Sequence, residues 1–234
     1  MDILSLVHKI SRRALPNLGH LHHSRIRRCG LCNRVTIFVA FSEGDELRFC
    51  LYCRANLRYE MLAAVIHRMD LARMDVLELD PHSPLRPILR GAKSYLRTYY
   101  RPDVRAGTTG FDGATCQDIT RLALPDRSLD LIVSSDVLEH VPDIESAFRE
   151  TARVLRPGGM HLFTVPPRAR TRSREGLPAE FHSDPLDPGG VRVYWDFGLD
   201  LPEVLKIPGL SFSVIDGPKG HDQRIVWAAQ LSSE

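Results

Sequence analysis

The sequence predicts an α/β fold: a doubly wound, mostly parallel sheet set behind a small four-cysteine ribbon. Two observations carry this. From Val76 onward, short apolar strands alternate with helical segments, the pattern of a sheet covered by helices on both faces. Ahead of them, Cys29, Cys32, Cys50 and Cys53 form two C-x-x-C pairs, C-G-L-C and C-L-Y-C, with seventeen residues between. A chain of 234 residues has room for one medium domain and such a module.

The cysteine spacing states a chemistry. Two residues between thiols let one turn aim both sulfurs at a single ion, and two such turns complete a tetrahedron. The four cysteines therefore read as the ligands of a structural Zn2+, with redox pairs or disulfides as the alternative. A four-thiolate zinc is coordinatively closed, so it holds the N-terminal region together and leaves catalysis to the rest of the chain. Cys116, the fifth thiol, sits among apolar residues and reads as a small buried side chain.

No apolar run approaches the roughly 18 to 20 residues of a membrane span. The opening M-D-I-L-S-L-V-H-K-I lacks a following small-residue cleavage site, so no signal peptide is expected. With zinc-spaced thiols, that predicts a cytoplasmic protein. The net charge of +2 excludes little, but its distribution is uneven. Lys9, Arg12, Arg13, Arg25, Arg27, Arg28 and Arg34 follow one another with no acid between them, interleaved with His8, His20, His22 and His23. Such an arm is a solvated leader, or it touches nucleic acid or an anionic substrate. No Phe, Tyr or Trp is interspersed there to stack on bases.

Taken in order, residues 1–28 form a basic leader, with Ile3, Leu6, Val7 and Ile10 on one face of a short helix. Residues 29–73 form the zinc module and its linking helix. Between the knuckles, V-T-I-F-V-A-F and E-L-R-F are the strands of a hairpin around S-E-G-D. Leu57, Met61, Ala64, Val65 and Arg68 then take helical spacing. Residues 74–234 form the sheet domain. Its strands are V-L-E-L, S-Y-L-R-T-Y, A-T-C-Q-D-I, L-D-L-I-V-S-S and M-H-L-F-T-V, and a helix from Ile144 to Leu155 is stopped by Pro157-Gly158-Gly159. An insert at 166–190 interrupts the pattern as a lid. A short helix at 201–206 precedes S-F-S-V-I-D and R-I-V-W-A-A-Q-L, which close the sheet as an antiparallel pair.

The stretch from Asp118 to Pro166 carries a resemblance. D-I-T-R-L-A-L-P-D-R-S-L-D-L-I-V-S-S-D-V-L-E-H-V-P-D, followed by E-T-A-R-V-L-R-P-G-G-M-H-L-F-T-V-P, resembles class I S-adenosylmethionine-dependent methyltransferases of the small-molecule, type 11 branch. The knuckles with R-A-N-L-R-Y-E after them look like a minor group of these enzymes with a zinc ribbon in front. The resemblance implies a Rossmann-like methyltransferase sheet of seven strands with an antiparallel last hairpin. It implies S-adenosylmethionine as methyl donor and S-adenosylhomocysteine as product. It also implies that Asp118 accepts the adenine amino group, that Ile119 walls the ring, and that Ser134, Ser135 and Asp136 line the sheet's open edge. Glu78 stands at the end of the first strand, with Asp80 and Ser83 in the turn after it.

Two departures stand out. The family's glycine-rich first turn is replaced by V-L-E-L-D-P-H-S-P-L-R-P, with no glycine before Gly91. The acid that would hold the ribose after the second strand is missing, and Asp103 or Thr98 is left to substitute.

Acceptor recognition is expected from the insert, where Arg168, Arg170, Arg172 and Arg174 alternate as an exposed cationic lid or anion clamp. His182, flanked by Glu180 and Asp184, and His140, next to Glu139, are the candidate general bases. Tyr194 and Trp195 are candidate walls for the acceptor. The leading reading is O- or N-methylation of a small molecule, a metabolite or natural product. Nucleic acid, as RNA, is the alternative acceptor. A fold relative that binds without catalysis, or that performs non-methyl chemistry, remains open. The residues set no oligomeric state, and a homodimer is compatible with them.

Overall fold

The computed structural model describes residues 15–110, 112–182, 189–220 and 222–233. The predicted leader helix and Asp184 fall outside these. A 3-10 helix at Leu15–His23 leads into a three-stranded antiparallel ribbon of β1 (Arg25–Arg28), β2 (Val35–Ala40) and β3 (Arg48–Cys50). The sequence reading assigned R-I-R-R to the leader. It is instead an edge strand paired with β2, Arg25 opposite Phe38 and Arg28 opposite Val35.

Helix α1 (Leu57–Ile66) leaves the ribbon and buries Tyr59, Met61, Leu62, Ala63, Val65 and Ile66. It ends just short of the predicted Arg68, at His67, whose N–H closes the last turn on the Ala63 carbonyl. The sheet domain follows with β4 (Asp75–Glu78), α2 (Arg86–Leu89), β5 (Ser94–Tyr99), β6 (Thr115–Cys116), β7 (Leu129–Ser135), α3 (Ile144–Val154) and β8 (Leu155–Thr164). The Asp143 side chain caps α3 by accepting the Ser146 N–H at 3.0 Å.

The insert is not a bare loop. It folds into β9 (Arg172–Ser173) and β10 (Glu180–His182), and the residues just after it form β11 (Val191–Val193) and β12 (Trp195–Asp196), which pair as β10 with β11 and β9 with β12. Then come α4 (Leu201–Val204), β13 (Leu210–Lys219) and β14 (Arg224–Leu231).

The main sheet has seven strands in the order β13-β14-β8-β7-β4-β5-β6. β4, β5, β6, β7 and β8 run parallel, and β14 is antiparallel to both β8 and β13. The chain therefore winds outward from β4 to β6, returns to β7 beside β4, and winds outward the other way. That reversal places the carboxyl ends of β4 and β7 side by side at the switch point, where open α/β sheets bind ligands.

Each face of the sheet has its own core. Leu77, Ile132, Phe163 and Trp227 pack with Phe148 of α3 and Leu201 of α4. Val76, Leu131, Val133, Leu162 and Val226 pack on the other face with Leu62 and Ile66 of α1 and Leu89 of α2. Cys29, Phe38 and Cys50 of the ribbon belong to this second core. Full burial of one such apolar side chain stabilises by about 1.5–3 kcal/mol. The ribbon is thus built into the sheet domain rather than tethered beside it. Cys116 is buried, in line with its sequence reading.

Candidate functional site

The four cysteines converge. Cys29 Sγ lies 3.6 Å from Cys53 Sγ, and Cys32 Sγ lies 3.9 Å from Cys50 Sγ. All four sulfurs fall within 4.8 Å of one another, and none is in a disulfide. A tetrahedral zinc with Zn–S bonds of about 2.3 Å sets sulfurs about 3.8 Å apart, so the donor set fits that ion. Both turns are built alike. The residue after each pair, Asn33 at φ 57° and Arg54 at φ 66°, is left-handed. Their N–H groups return to the carbonyls of Cys29 and Cys50 at 3.0 and 2.9 Å. Asn adopts this conformation readily, whereas for Arg it is strained, and the second knuckle holds it there.

At the carboxyl end of β4, Glu78 is fully buried and accepts a hydrogen bond from the Tyr95 hydroxyl. Its Oε1 has no hydrogen-bond partner among the described residues. Burial pushes its carboxyl up to about 7 despite the Tyr95 contact. Asp80 accepts the Tyr59 hydroxyl and the His82 N–H, at 2.7 and 2.8 Å. Ser83 is buried, and its Oγ accepts the Leu85 N–H at 3.0 Å. The proline-bearing turn is thus stapled to α1 and α2 by side chains where the family uses glycine. Arg97 of β5 crosses beneath it and donates to the Pro81 carbonyl at 2.6 Å.

Past β6, Asp118 Oδ1 accepts both the N–H and the hydroxyl of Thr120, at 2.8 and 2.7 Å. The buried Ile119 stands beside it. Asp103, by contrast, is exposed and forked by Arg101 at 2.9 and 2.8 Å. The orphaned Glu78 oxygen and the Asp118 carboxylate are a donor set that fits an adenosyl donor carrying an ammonium and an adenine amino group.

The fourth-strand residues stand at the carboxyl end of β7, but their polar atoms are engaged within the fold. Ser134 Oγ is hydrogen-bonded to His161 Nε2 at 2.8 Å inside the sheet, and burial drops His161 to about 3. Ser135 Oγ pairs with Thr164 Oγ1 at 3.0 Å. Asp136, left-handed at φ 53°, is gripped by Arg58 of α1 at 2.7 Å and Arg224 of β14 at 2.8 Å, with Thr164 Oγ1 at 3.0 Å. Burial pushes its carboxyl up, but the two guanidinium groups outweigh this and hold it below the usual range. Glu46 of the ribbon joins the same two arginines. These contacts knit ribbon to sheet, and nothing local to residues 58 or 224 announced them.

Three residues meet just beyond β7. Glu139 is buried, and neither carboxylate oxygen has a hydrogen-bond partner among the described residues. Its Oε1 lies 3.8 Å from His140 Nε2 and 3.8 Å from His182 Nδ1. The imidazole rings stand edge to face with centroids 5.1 Å apart. His140 Nδ1–H donates to the Arg192 carbonyl at 2.8 Å, and His182 Nε2–H to Glu180 at 3.3 Å. The structure thus brings together the two histidines proposed as bases and adds Glu139 between them. The Tyr194 N–H donates to the Glu139 carbonyl at 2.7 Å and anchors the insert there. Burial, then the charge of Asp136, holds the Glu139 carboxyl well above its ordinary range.

Three of the insert's four arginines, Arg168, Arg172 and Arg174, are paired rather than splayed, and Arg170 is exposed. Asp196 takes Arg172 at 3.0 Å and Arg174 at 2.9 Å, and Glu180 takes Arg168 and Arg174. Trp195 donates to the Pro142 carbonyl at 3.1 Å.

A methyltransferase-domain profile of the type 11 family matches residues 92–163. A protein of Mycolicibacterium smegmatis named "Probable S-adenosylmethionine-dependent methyltransferase" is 34% identical over 90 residues, 38% of this chain and 31% of that protein. A malonyl-[acyl-carrier protein] O-methyltransferase of Methylovorus is 42% identical over 58 residues, 24% of this chain and 20% of that protein. The chain thus spans well under two thirds of either relative's length. A solved structure from Listeria monocytogenes, classed among the S-adenosylmethionine-dependent methyltransferases, superposes with TM-score 0.50 at 12% identity, covering 72% of this chain and 97% of that one. That likeness concerns the fold alone. The profile match is thus set inside a seven-stranded sheet of this order, and over that segment the chain is similar to S-adenosylmethionine-dependent methyltransferases.

Proposed function

We propose that this protein methylates a small molecule at oxygen or nitrogen, with S-adenosylmethionine as donor and the four-cysteine zinc as a structural element. The observation that carries the reading is the gathering of the two histidines around Glu139 beyond the carboxyl end of β7, with Glu139 and His140 inside the segment that the methyltransferase profile matches. Bound S-adenosylmethionine supplies a methyl group on a sulfonium, which leaves by in-line displacement.

The chain's own residues supply the rest. Asp118 and Ile119 hold the adenine end, and Glu78, with Asp80 and Ser83 shaping its turn, receives the ammonium end. Ser134 and Asp136 are given no ligand role, because their polar atoms are already committed within the fold. Asp103 is likewise set aside, since Arg101 occupies it. A hydroxyl or ammonium acceptor gives its proton to His182 Nδ1 or His140 Nε2, and Glu139 stabilises the resulting imidazolium. Strands β10 and β11 cover this group and keep water from the acceptor.

The test is calorimetry with S-adenosylhomocysteine on zinc-replete protein. Micromolar binding is expected, weakened about tenfold in Asp118→Ala by loss of one hydrogen bond. No binding at millimolar ligand in folded protein would overturn the reading and favour a binding subunit.

An RNA acceptor is the second reading, favoured by the outer face of the ribbon. Arg25, Ile26, Arg28 and Val35 are exposed there, and the Arg34 guanidinium stacks 3.8 Å over the exposed Tyr52 ring. RNA affinity that falls steeply with salt, and falls further on Arg34→Ala, would support it.

A further inference from the structure

We infer that Glu139, His140 and His182 form a second metal site, separate from the four cysteines, that takes one divalent first-row transition ion through two imidazole nitrogens and one carboxylate. The three ligand atoms lie within 4.8 Å of one another. Two nitrogens and one carboxylate oxygen, gathered at one point with further positions open, make a two-histidine, one-carboxylate set that suits zinc, cobalt, iron or nickel.

Four observations point to an ion rather than to a packed polar cluster. Glu139 is 1% exposed, yet both oxygens lack a hydrogen-bond partner among the described residues. A buried carboxylate in that state is costly, and a cation is one group that relieves it. The 3.8 Å separations from Glu139 to each imidazole nitrogen are too long for hydrogen bonds. They are close to what a shared ion requires, since bonds of about 2.1 Å place neighbouring ligand atoms about 3.0–3.4 Å apart. Both rings are also held from behind. His140 Nδ1–H donates to the Arg192 carbonyl and His182 Nε2–H to Glu180, while His140 Nε2 and His182 Nδ1 each stand 3.8 Å from Glu139 Oε1. A carbonyl or carboxylate behind each ligating histidine is the arrangement metal sites use to orient imidazole. Finally, the three residues come from two elements, the turn after β7 and strand β10. The pairing of β10 with β11 and the Tyr194 N–H bond to the Glu139 carbonyl hold those elements together.

The site goes beyond the methyl-transfer reading. When the ion is bound, it occupies the lone pairs that otherwise accept the acceptor's proton. It leaves open positions for an oxygen acceptor, whose proton then passes to solvent. The class of acceptor this favours is one with two adjacent oxygens able to chelate.

The test is titration of Co(II) into zinc-replete, full-length protein, followed by visible absorption and by metal content after gel filtration. One equivalent of Co(II) is expected to bind beside the retained zinc, with d–d bands but no thiolate charge-transfer band. His182→Ala and the isosteric Glu139→Gln, both checked for fold and zinc content, are each expected to weaken that binding at least about 100-fold, beyond what loss of an outer partner costs. Absence of a saturable second equivalent would overturn the inference. So would undiminished binding in folded His182→Ala and Glu139→Gln, which would place the ion elsewhere, such as on the His20–His23 run. Neither result depends on S-adenosylhomocysteine binding, so failure here and failure of the methyltransferase reading are separable.

Discussion

Asp136→Asn is the substitution that best probes how the ribbon is joined to the sheet. Asparagine keeps the size of the side chain and tolerates φ 53°, so the change removes charge without backbone penalty. In the wild type one carboxylate serves two guanidinium groups, Arg58 with a side chain 17% exposed and Arg224 with one 8% exposed. The substitution leaves two largely buried cations with Glu46 as their remaining acid. Breaking a buried pair by removing one partner costs about 3–5 kcal/mol, because the orphaned charge stays behind. For a chain of this size each kcal/mol moves the midpoint by about 2–4 °C, so a fall of about 10 °C is expected. The sign with pH follows from the direction of the shift. A carboxylate whose folded value is depressed stabilises fully above its unfolded value, about 3.9, and the contribution is lost as pH falls through the folded value. The gap between wild type and variant should therefore be full at pH 7 and narrow below about pH 3.9. Urea denaturation across pH, with bound zinc measured at each point, reads it. A variant within about 0.5 kcal/mol of wild type at pH 7, zinc retained, would refute the claim that this network secures the ribbon.

Two further predictions concern the metal module and the first turn. Cys32→Ser should release zinc and open the ribbon, raising proteolysis in 25–55 while β7 and β8 stay protected; stoichiometric zinc in the variant would sink the four-thiolate assignment. Glu78→Gln should stabilise the ligand-free protein by up to about 4 kcal/mol at pH 8 and hardly at pH 4, because the native carboxyl keeps its proton up to about 7 while the unfolded one loses it near 4.3. The same variant should bind S-adenosylhomocysteine more weakly. A stability gain independent of pH would show that burial of this carboxyl is not what the substitution relieves.

What was legible in the chain was whatever repeats at short range. S-Y-L-R-T-Y and L-D-L-I-V-S-S match β5 and β7 to the residue, because each run of strand formers is set off by turn residues, Gly91 before β5 and Pro102 after it, Pro125 and Asp126 before β7. The two knuckles were legible for a similar reason: C-x-x-C is a local geometry with one chemical purpose. β1 was not, since R-I-R-R is an edge strand with every residue exposed, and exposure erases the alternation by which strands are recognised. Ser134 shows a second limit. At the end of β7 neighbouring serines face opposite sides of the sheet, and a sequence of two serines does not say which faces the ligand edge and which meets His161.

The third limit is distance along the chain. Asp136, Arg58, Arg224 and Glu46 meet from four elements, and Glu139 meets His182 across 43 positions. What the sequence did hold was half of each constellation: an acid at the end of a strand, a histidine beside a glutamate, a second histidine beside another. The fold decides how such halves are used. It commits Asp136 to structure by surrounding it with arginines, and it leaves Glu139, three residues later, with none. Two acids of one loop are thereby driven apart, one ionised and locked, the other buried and waiting for a cation or a proton. That division is what supports the proposal of ligand chemistry at Glu139 and its two histidines, while the arginines around Asp136 hold the ribbon against the sheet.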